Sequence, residues 1–510
     1  MTAVAGIGSA IAVMIAVSAA GPSEAVVTMP AAGGGPPWWI PLHPSAALVT
    51  IALWAAAVAG TAGVAAGLLA IQRGARPSAR LLVTGALLVT AVLAVLPPAG
   101  STDTLDYAAY GRMVATGHDP YLMTALQLRE TGDPVAAYAP IPWQGNPSLY
   151  GPLATIEQGT AAILGGTSVA RITLWLKLWN ALAFALVVLA LDRLLRSDPA
   201  RRARAHLLWS VNPLLLWGLV ASGHVDAVAT AVAFLGLALV ALPPPGPLGR
   251  RGVLTGLAAG ALVGMAADIK ITFVLFGLGI AIAARRSWRT MVAAGAGALA
   301  VLLPSYLWFG RPAIAVLFSR EASATGDNLY QLFYRPFGLI TLSWLIFLVV
   351  PLLVAVAVLL LRRLPDGFPA RPAVRPTLAL SLAWLLVWPY QRPWYDAMAL
   401  CLLALYPATR LDWPVLIRLA AVTIYTMPGM PSRLADILAW AFRPEQTLIV
   451  PLARLGALVA VVVLALTGAW TARRRDGPAA LVTAPPGPLL PVQWRQAGTR
   501  IPATPDRGQR

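Results

Sequence analysis

The sequence predicts an all-α membrane protein, a polytopic helical bundle with about 14 transmembrane helices. Three observations support this fold class. Of the 510 residues, 58% are apolar and only 11% are charged, whereas about a quarter of the residues of a soluble domain are charged. Apolar runs of ~20 residues, the length that crosses the hydrocarbon of a bilayer, recur along most of the chain. Basic residues are concentrated in the short gaps between these runs, as is typical of cytoplasmic loops.

The apolar segments predict the helices in order. The stretch 4–20 is interpreted as a first transmembrane helix rather than a signal peptide, because no Lys or Arg precedes it. A Gly- and Pro-rich segment at 21–45 is predicted to be a loop. The other helices are predicted near 46–71, 81–98, 168–191, 206–222, 225–241, 252–267, 271–284, 291–308, 337–361, 376–390, 395–409, 414–430 and 447–470. Several of these runs are short for a full span, so we expect some tilted, broken or re-entrant helices.

The distribution of charge predicts which loops face the cytoplasm. When the helices alternate across the membrane, one side receives 26 of the 38 basic residues and only six of the 20 acidic residues. The segments on that side are 72–80, 192–205, 242–251, 285–290, 362–375, 410–418 and 471–510. By the positive-inside rule this side is cytoplasmic. Both termini are therefore predicted to be cytoplasmic, and the long segment 99–167, including Ser148, is predicted to be accessible from outside.

The same features define the domain organisation and exclude several functions. Residues 1–475 are predicted to form one multispanning domain, and 476–510 a disordered cytoplasmic tail. The net charge of +18 is explained by membrane topology, so no nucleic-acid partner is predicted. The single cysteine, Cys401, permits neither an intrachain disulfide nor a CxxC motif. Four histidines do not make a His-rich metal cluster, and no metal or other cofactor is predicted.

The segment 101–122, STDTLDYAAYGRMVATGHDPYL, is the most informative for chemistry. It follows an apolar helix and places Asp103 and Asp106 at the outer end of that helix, three residues apart and on one face if the segment is helical. Arg112 is near enough in sequence to pair with one of them. Carboxylates at a membrane boundary are functional candidates because desolvation makes them costly. The alternative is that they are loop residues, with Asp103 capping a helix that begins at Thr104.

Two further segments carry polar groups on the same predicted side. The stretch 138–159, YAPIPWQGNPSLYGPLATIEQG, combines Pro, Gly and aromatic residues in the manner of a rigid sugar-binding loop, although an ordinary packed loop has the same composition. In 212–231, His224 and Asp226 interrupt an apolar stretch. They suit binding of a phosphate or a hydroxyl, and equally a polar turn that faces water.

The remaining candidates are cationic. Lys270, one of two lysines, lies between apolar runs beside Asp268, where it can neutralise a lipid phosphate, snorkel, or pair with that aspartate. The segment 388–400, WPYQRPWYDAMAL, joins two helices on the outer side. Its aromatic residues suit an interfacial belt, but Arg392 departs from the positive-inside trend and is therefore a binding candidate.

Taken together, these motifs resemble the actinobacterial polyprenol-phosphate-mannose-dependent alpha-1,6-mannosyltransferases, which belong to the C superfamily of membrane glycosyltransferases. The resemblance covers roughly 80–410. It is carried by STDTLDYAAYGRMVATGHDPY, NPSLYGPL, NPLLLWGLVASGHVDA, the Lys270 hairpin and the PWY of 393–395. It implies a bundle of the C-superfamily type in which the extracytoplasmic loop 99–167 is catalytic.

The resemblance also implies a reaction and roles for residues. Mannose would be transferred with inversion from a polyprenyl-phosphate donor to a hydroxyl of a lipid-linked mannan-type glycan, forming alpha-1,6 linkages outside the plasma membrane. Asp103 would be the general base, and Asp106, a second acid not typical of the family, is the alternative. The predicted substrate-binding residues are Asp106, Tyr107, Arg112, Tyr150, His224, Asp226, Lys270, Arg392, Trp394 and Tyr395. A glycolipid flippase or transporter, or a transferase of lipid-linked arabinofuranose or glucose, is the alternative function.

Overall fold

The computed structural model describes residues 1–141, 143–239, 250–317, 328–333, 342–429 and 438–471. Within these ranges the chain is helical and has no β-strand, with one isolated antiparallel bridge between Val26 and Ala99. The predicted all-α class is therefore confirmed. The predicted tail, 476–510, lies outside the described residues.

The helices follow the apolar runs closely, because each run is long enough to satisfy its own backbone in a medium without water. They are α1 Thr2–Ala19, α2 Ala46–Gln72, α3 Ala79–Ala94, α4 Asp103–Ala115, α5 Ala125–Glu130, α6 Pro152–Gly165, α7 Val169–Leu194, α8 Pro199–Ala205, α9 Pro213–Leu215, α10 Asp226–Leu239, α11 Arg250–Ile269, α12 Val274–Ala283, α13 Trp288–Val316, α14 Leu342–Arg363, α15 Val374–Val387, α16 Ala397–Leu403, α17 Asp412–Thr426, α18 Ala439–Pro444 and α19 Val450–Thr467. Short 3₁₀ turns at Ala136–Tyr138, Ile271–Phe273 and Pro393–Asp396 and π-helical turns at His206–Ser210, Leu216–Ala221 and Glu445–Ile449 connect or extend them.

The length and composition of these helices make the chain a multi-pass membrane protein. In the part that the structure describes, six helices are long and apolar enough to span a bilayer, or seven if one bent pair counts as a single span. That pair, 199–221 with Asp226–Leu239, bends by 114° at a polar break. Ala79–Ala94, Ile271–Ala283 and Val374–Val387 are apolar but shorter. Several predicted spans are thus short or broken, and the count of 14 is not confirmed.

Close helix packing depends on small residues, as is common between helices in membranes. A Cβ added to Gly6 of α1 would lie 2.9 Å from the Cα of Gly63 in α2. A Cβ at Gly260 of α11 would lie 1.9 Å from the backbone oxygen of Ala294 in α13. The first helix is therefore packed against the second through a glycine pair, which agrees with its interpretation as a helix of the bundle.

The segment 99–167 folds into helices rather than an extended loop. It contains α4, α5 and α6, and nine of the 13 residues of α4 are buried. Backbone hydrogen bonds tie its start to neighbouring connections: Ala99 N–H donates to the oxygen of Ala221, and Gly100 N–H to that of Ala25. A Cβ at Gly100, whose φ is +88°, would lie 2.5 Å from Nε1 of Trp217, so only glycine lets this backbone approach the indole.

At the opposite ends of the helices, segments predicted to be cytoplasmic contact one another. Arg201 Nη1 donates to the backbone oxygen of Gly367 at 3.3 Å. Arg204 is buried in an ion pair with Asp412 and also donates to the backbone oxygen of Tyr406 at 2.7 Å. These contacts join the segments 192–205, 362–375 and 410–418, as the charge distribution predicted. Which face of the membrane this end occupies stays a prediction.

Cysteine labelling tests the orientation. In a Cys401→Ala background, cysteine at the exposed Ala137 is expected to react with a membrane-impermeant maleimide in intact spheroplasts. Cysteine at the exposed Ala370 is the matched control and is expected to react only after lysis. Ser148 is unsuitable, contrary to the sequence-based expectation, because it is fully buried and its N–H donates to the oxygen of Pro120. The reverse labelling pattern would overturn the predicted topology.

Candidate functional site

The two acids of α4 line one small cleft. Asp103 is the first residue of α4 and Asp106 lies in the same turn, where carboxylates interact favourably with the helix dipole. Thr102, not Asp103, occupies the N-cap position, so the alternative in which Asp103 caps the helix is wrong. The cleft has an accessible volume of about 70 Å³ and is lined by Asp103, Asp106, Tyr107, Tyr110, Trp143, Asn146, Leu149, Tyr150 and Tyr390. We call these residues the acidic cleft.

Asp103 is the more accessible of the two acids. Its side chain is 20% exposed, and Oδ2 lies 3.6 Å from Nδ1 of His224. Burial raises the pKa of this carboxyl above its usual range, while hydrogen bonding to Ser101 and the positive charges of Arg392 and Lys270 oppose that rise. Asp103 is therefore a carboxylate of enhanced basicity at the surface of the acidic cleft.

Asp106 is in a different environment although it lies one turn away. It is 4% exposed, and its Oδ1 has no hydrogen-bond partner among the described residues. Burial and the repulsion of the neighbouring Asp103 raise its pKa well above the usual range. Of the two acids, Asp106 is the one that the surroundings favour in the protonated state.

Two tyrosines of the acidic cleft are linked to His224. The hydroxyl of Tyr107 lies 3.0 Å from that of Tyr150 and 3.3 Å from Nδ1 of His224. The two tyrosine rings meet edge to face, with centroids 5.1 Å apart. His224 is fully buried, stacks on Trp394 with ring centroids 3.5 Å apart, and leaves Nε2 without a partner among the described residues.

Lys270 pairs with Asp226 rather than with its sequence neighbour. Its Nζ donates to both carboxylate oxygens of Asp226 at 2.8 Å, and it lies 3.9 Å above the ring of Tyr395. The lysine side chain is 12% exposed and the aspartate 3%. Asp268 instead accepts a hydrogen bond from the N–H of Leu153 at 3.3 Å, because the connection before α6 packs tightly against the end of α11.

Arg392 enters from the connection between α15 and α16. It is 7% exposed, and its guanidinium lies 5.1 Å above the ring of Tyr390. A buried network holds this connection. Arg418 of α17 forms an ion pair with Asp396 and donates to Gln391 Oε1 at 2.8 Å. An arginine of another helix therefore holds the connection that carries the aromatic and cationic residues of 390–395.

Polar residues of α7 hold the other two connections of the site. Lys177 is buried, and its Nζ donates to the backbone oxygens of Leu93 and Leu96 at 2.6 Å and of Pro97 at 3.1 Å. One turn further on, Asn180 donates to the backbone oxygen of Gly223 at 3.2 Å. One helix thus positions both the chain that leads into Asp103 and the break that carries His224.

Ten of the eleven predicted site residues are brought together here, through the contacts above, through the ring pairs Trp394–Tyr395 and Tyr390–Tyr395, and, for Asp106, through the shared lining of the acidic cleft. The exception is Arg112, whose Nε lies 2.7 Å from Oδ2 of Asp133. The predicted pairing of Arg112 with one of the two α4 acids is therefore wrong, and the arginine instead braces the segment that precedes the 3₁₀ turn at Ala136–Tyr138. Helical geometry turns position 112 away from the face shared by residues 103, 106 and 110.

Sequence reasoning missed several residues of the acidic cleft. Tyr110 is seven residues after Asp103, so the helical repeat already placed the two on one face. Its hydroxyl donates to the backbone oxygen of Asn146 at 3.2 Å, in the NPSLYGPL motif. Trp143 and Tyr390 have no comparable signal, because they reach the acidic cleft from connections that only the fold brings near. Among the described residues, no group of three His, Cys, Asp or Glu side chains can hold a metal ion.

Comparison with known proteins places the chain among sugar transferases. A family model described as "Alpha-(1->6)-mannopyranosyltransferase, N-terminal domain" matches residues 4–286. An alpha-(1->6)-mannopyranosyltransferase of Mycobacterium tuberculosis is 31% identical over 163 residues, which are 30% of this chain and 27% of the relative. Alpha-(1->6)-mannopyranosyltransferase B of Corynebacterium glutamicum is 28% identical over 219 residues, 40% of this chain and 35% of the relative. The alignments thus span about a quarter to a third of these relatives.

A similar solved structure is that of ArnT from Cupriavidus metallidurans in the apo state. It shows 13% identity and a TM-score of 0.37, with 72% of each chain covered.

Proposed function

The chain belongs to the alpha-(1->6)-mannopyranosyltransferase family, and on that premise we propose that it transfers mannose from a polyprenyl-phosphate donor to a hydroxyl of a lipid-linked mannan-type acceptor. The transfer inverts the anomeric centre, forms an alpha-1,6 linkage and takes place at the outer face of the plasma membrane. In this proposal the bundle is a C-superfamily glycosyltransferase.

One observation carries the proposal: two cations lie near Asp103, a carboxylate that lines the acidic cleft. Asp103 is within the electrostatic reach of both Arg392 and Lys270. A phosphate leaving group needs positive charge, and an attacking hydroxyl needs a base. Both requirements are met by side chains of the chain itself.

The proposed reaction forms one bond and breaks one. The acceptor oxygen attacks the anomeric carbon of mannose, and its proton passes to the Asp103 carboxylate. The bond between that carbon and the phosphate oxygen breaks, and the electron pair remains on the polyprenyl phosphate. Lys270 and Arg392 stabilise the negative charge that develops on this oxygen.

The environments of the two acids support Asp103 as the base. A general base must be ionised and accessible, which fits Asp103 with its partly exposed side chain and cationic neighbours. Asp106 is buried and more strongly favoured as the neutral acid, which suits a hydrogen-bond donor to a sugar hydroxyl. Buried polar atoms normally have partners, so Asp106 Oδ1 and His224 Nε2, which have none among the described residues, are suited to a bound substrate.

Buried charges such as Lys177, Glu157 and Asp226 could serve translocation in the alternative flippase or transporter, but Lys177 and Asp226 are held in contacts of the fold. Lys177 donates hydrogen bonds to three backbone oxygens, and Asp226 forms an ion pair with Lys270. Burial raises the pKa of Glu157 to about 8, so this group is mostly neutral at pH 7. These arrangements support the transferase over the transporter.

A proteoliposome assay tests the function. The purified protein, supplied with radiolabelled polyprenyl-phosphate mannose and a lipid-linked mannan acceptor, is expected to form labelled glycolipid without any ion gradient. Parallel reactions use polyprenyl-phosphate arabinofuranose and glucose. Transfer of either of these sugars in place of mannose would contradict the proposal that the donor carries mannose. Movement of the donor lipid across the bilayer without formation of product would favour the flippase.

A further inference from the structure

A second, larger cavity lies at the other end of the bundle from the acidic cleft. Its volume is about 540 Å³, and it is lined by Ile282, Ala283, Arg285, Leu361, Asp366, Gly367, Phe368, Pro369, Pro372, Arg375 and Pro376. It lies where α12 and α14 end and α15 begins. The 14 residues of α15 extend about 20 Å at 1.5 Å per residue before the chain reaches the Arg392 connection. The two cavities are therefore separate sites.

The surroundings of this cavity are strongly cationic. Seven arginines and a single acid occupy the connections 284–290 and 362–375: Arg285, Arg286, Arg289, Arg362, Arg363, Arg371, Arg375 and Asp366. Asp366 is 78% exposed and lies 3.3 Å from Nε of Arg375. One exposed carboxylate does not neutralise seven guanidinium groups, so the site attracts anions.

Apart from its charged residues, the lining is apolar. Ile282 and Leu361 belong to the apolar helices α12 and α14, and Phe368 and three prolines complete the wall. Guanidinium groups beside apolar surface at helix ends match the boundary between lipid headgroups and acyl chains. A free phosphate ion would fill only a small part of this volume and would leave the apolar wall without a partner.

The wall is held in place by contacts from three directions. The oxygen of Gly367 accepts a hydrogen bond from Arg201, and a Cβ at Gly367 would lie 2.0 Å from the ring of Tyr406. Nε of Arg375 donates to the oxygen of Leu364 at 2.6 Å. The cavity is thus a built feature of the fold, and Arg375 lies on a connection that these contacts hold in place.

We propose that this cavity binds the phosphate headgroup of an anionic phospholipid, with Arg285 and Arg375 facing the phosphate and the apolar wall facing the glycerol and the first acyl carbons. Topology alone requires arginines in these connections but gives no reason for two of them to line a cavity. The lining arginines are therefore expected to matter for lipid retention, and their neighbours outside the cavity are not.

Adjacent arginines provide a matched test. Arg285→Gln and Arg286→Gln each remove one exposed charge from the same connection, but only Arg285 lines the cavity. The full-length protein is loaded in phosphatidylglycerol vesicles, extracted, and examined for bound lipid by native mass spectrometry. Arg285→Gln is expected to retain about fivefold less phosphatidylglycerol than the wild type, and Arg286→Gln to retain the wild-type amount. Phosphatidylcholine vesicles are expected to give little bound lipid.

Three outcomes would overturn the proposal. Equal losses in both variants would show that only the overall charge matters, and equal retention in all three proteins would show that the cavity holds no lipid. Displacement of phosphatidylglycerol by excess inorganic phosphate would show a site for the free ion. Arg375→Gln, which also breaks the bond to Leu364, serves as a second variant and is expected to reduce retention at least as much as Arg285→Gln.

Discussion

Replacing Asp103 by Asn is expected to lower the rate of sugar transfer by ~10² or more, the range typical of general bases. Asparagine keeps the size and most hydrogen bonds of the side chain but cannot accept the acceptor proton. Because Thr102 holds the N-cap position, the change does not remove a helix cap. Turnover is measured in the proteoliposome assay, and donor binding, which does not involve the base, is expected to survive.

The pH dependence gives the same variant a second readout. Burial raises the pKa of Asp103, and the base is active only when deprotonated. Activity of the wild type is therefore expected to fall as the pH drops through this raised pKa, at a higher pH than for an ordinary carboxylate. The residual activity of Asp103→Asn is expected to lack that acidic limb.

Asp106→Asn is the matched control for these measurements. It removes a carboxyl of the same helical turn and is expected to cost less, because a neutral Asp106 and an amide can both donate a hydrogen bond. Monodisperse elution in detergent shows that both variants fold. If Asp103→Asn is nearly as active as the wild type and Asp106→Asn is inactive, Asp106 is the base and Asp103 the supporting residue. If both variants are active, the reaction takes place outside the acidic cleft.

The second large effect is expected for Lys270→Met, which removes a cation that we assign to the leaving phosphate. Donor KM is expected to rise and kcat to fall by about 10², because negative charge on the phosphate grows in the transition state. Apparent donor affinity and turnover are measured separately by varying the donor concentration.

The ion pair with Asp226 determines how this experiment must be controlled. Lys270→Met leaves a carboxylate that is 3% exposed without its partner, and an unpaired buried charge is strongly destabilising. The double variant Lys270→Met/Asp226→Asn removes both charges, so it is expected to regain thermal stability without regaining turnover. Recovery of turnover in the double variant would make the lysine a structural partner of Asp226 only.

Sequence alone determined the features that depend on one segment at a time. Whether an apolar run is long enough to cross the bilayer depends on that run alone. The positions of α2, α7 and the other long helices therefore followed from hydropathy. The segregation of arginines likewise predicted which connections lie at the same end of the helical bundle. The common face of Asp103 and Asp106 followed from the helical repeat, and the family resemblance found from the motifs is confirmed by the family model that matches residues 4–286.

Tertiary structure decided the pairings between segments. Lys270 has an acid two residues away, but its partner is Asp226, 44 residues away. Arg112 binds Asp133, and Ser148 is buried in a segment that was expected to be accessible. Hydropathy indicates whether a segment lies in the membrane, and residue spacing indicates which side chains of a helix share a face. Which charge meets which depends on how helices distant in sequence pack together, and that information resides in the fold.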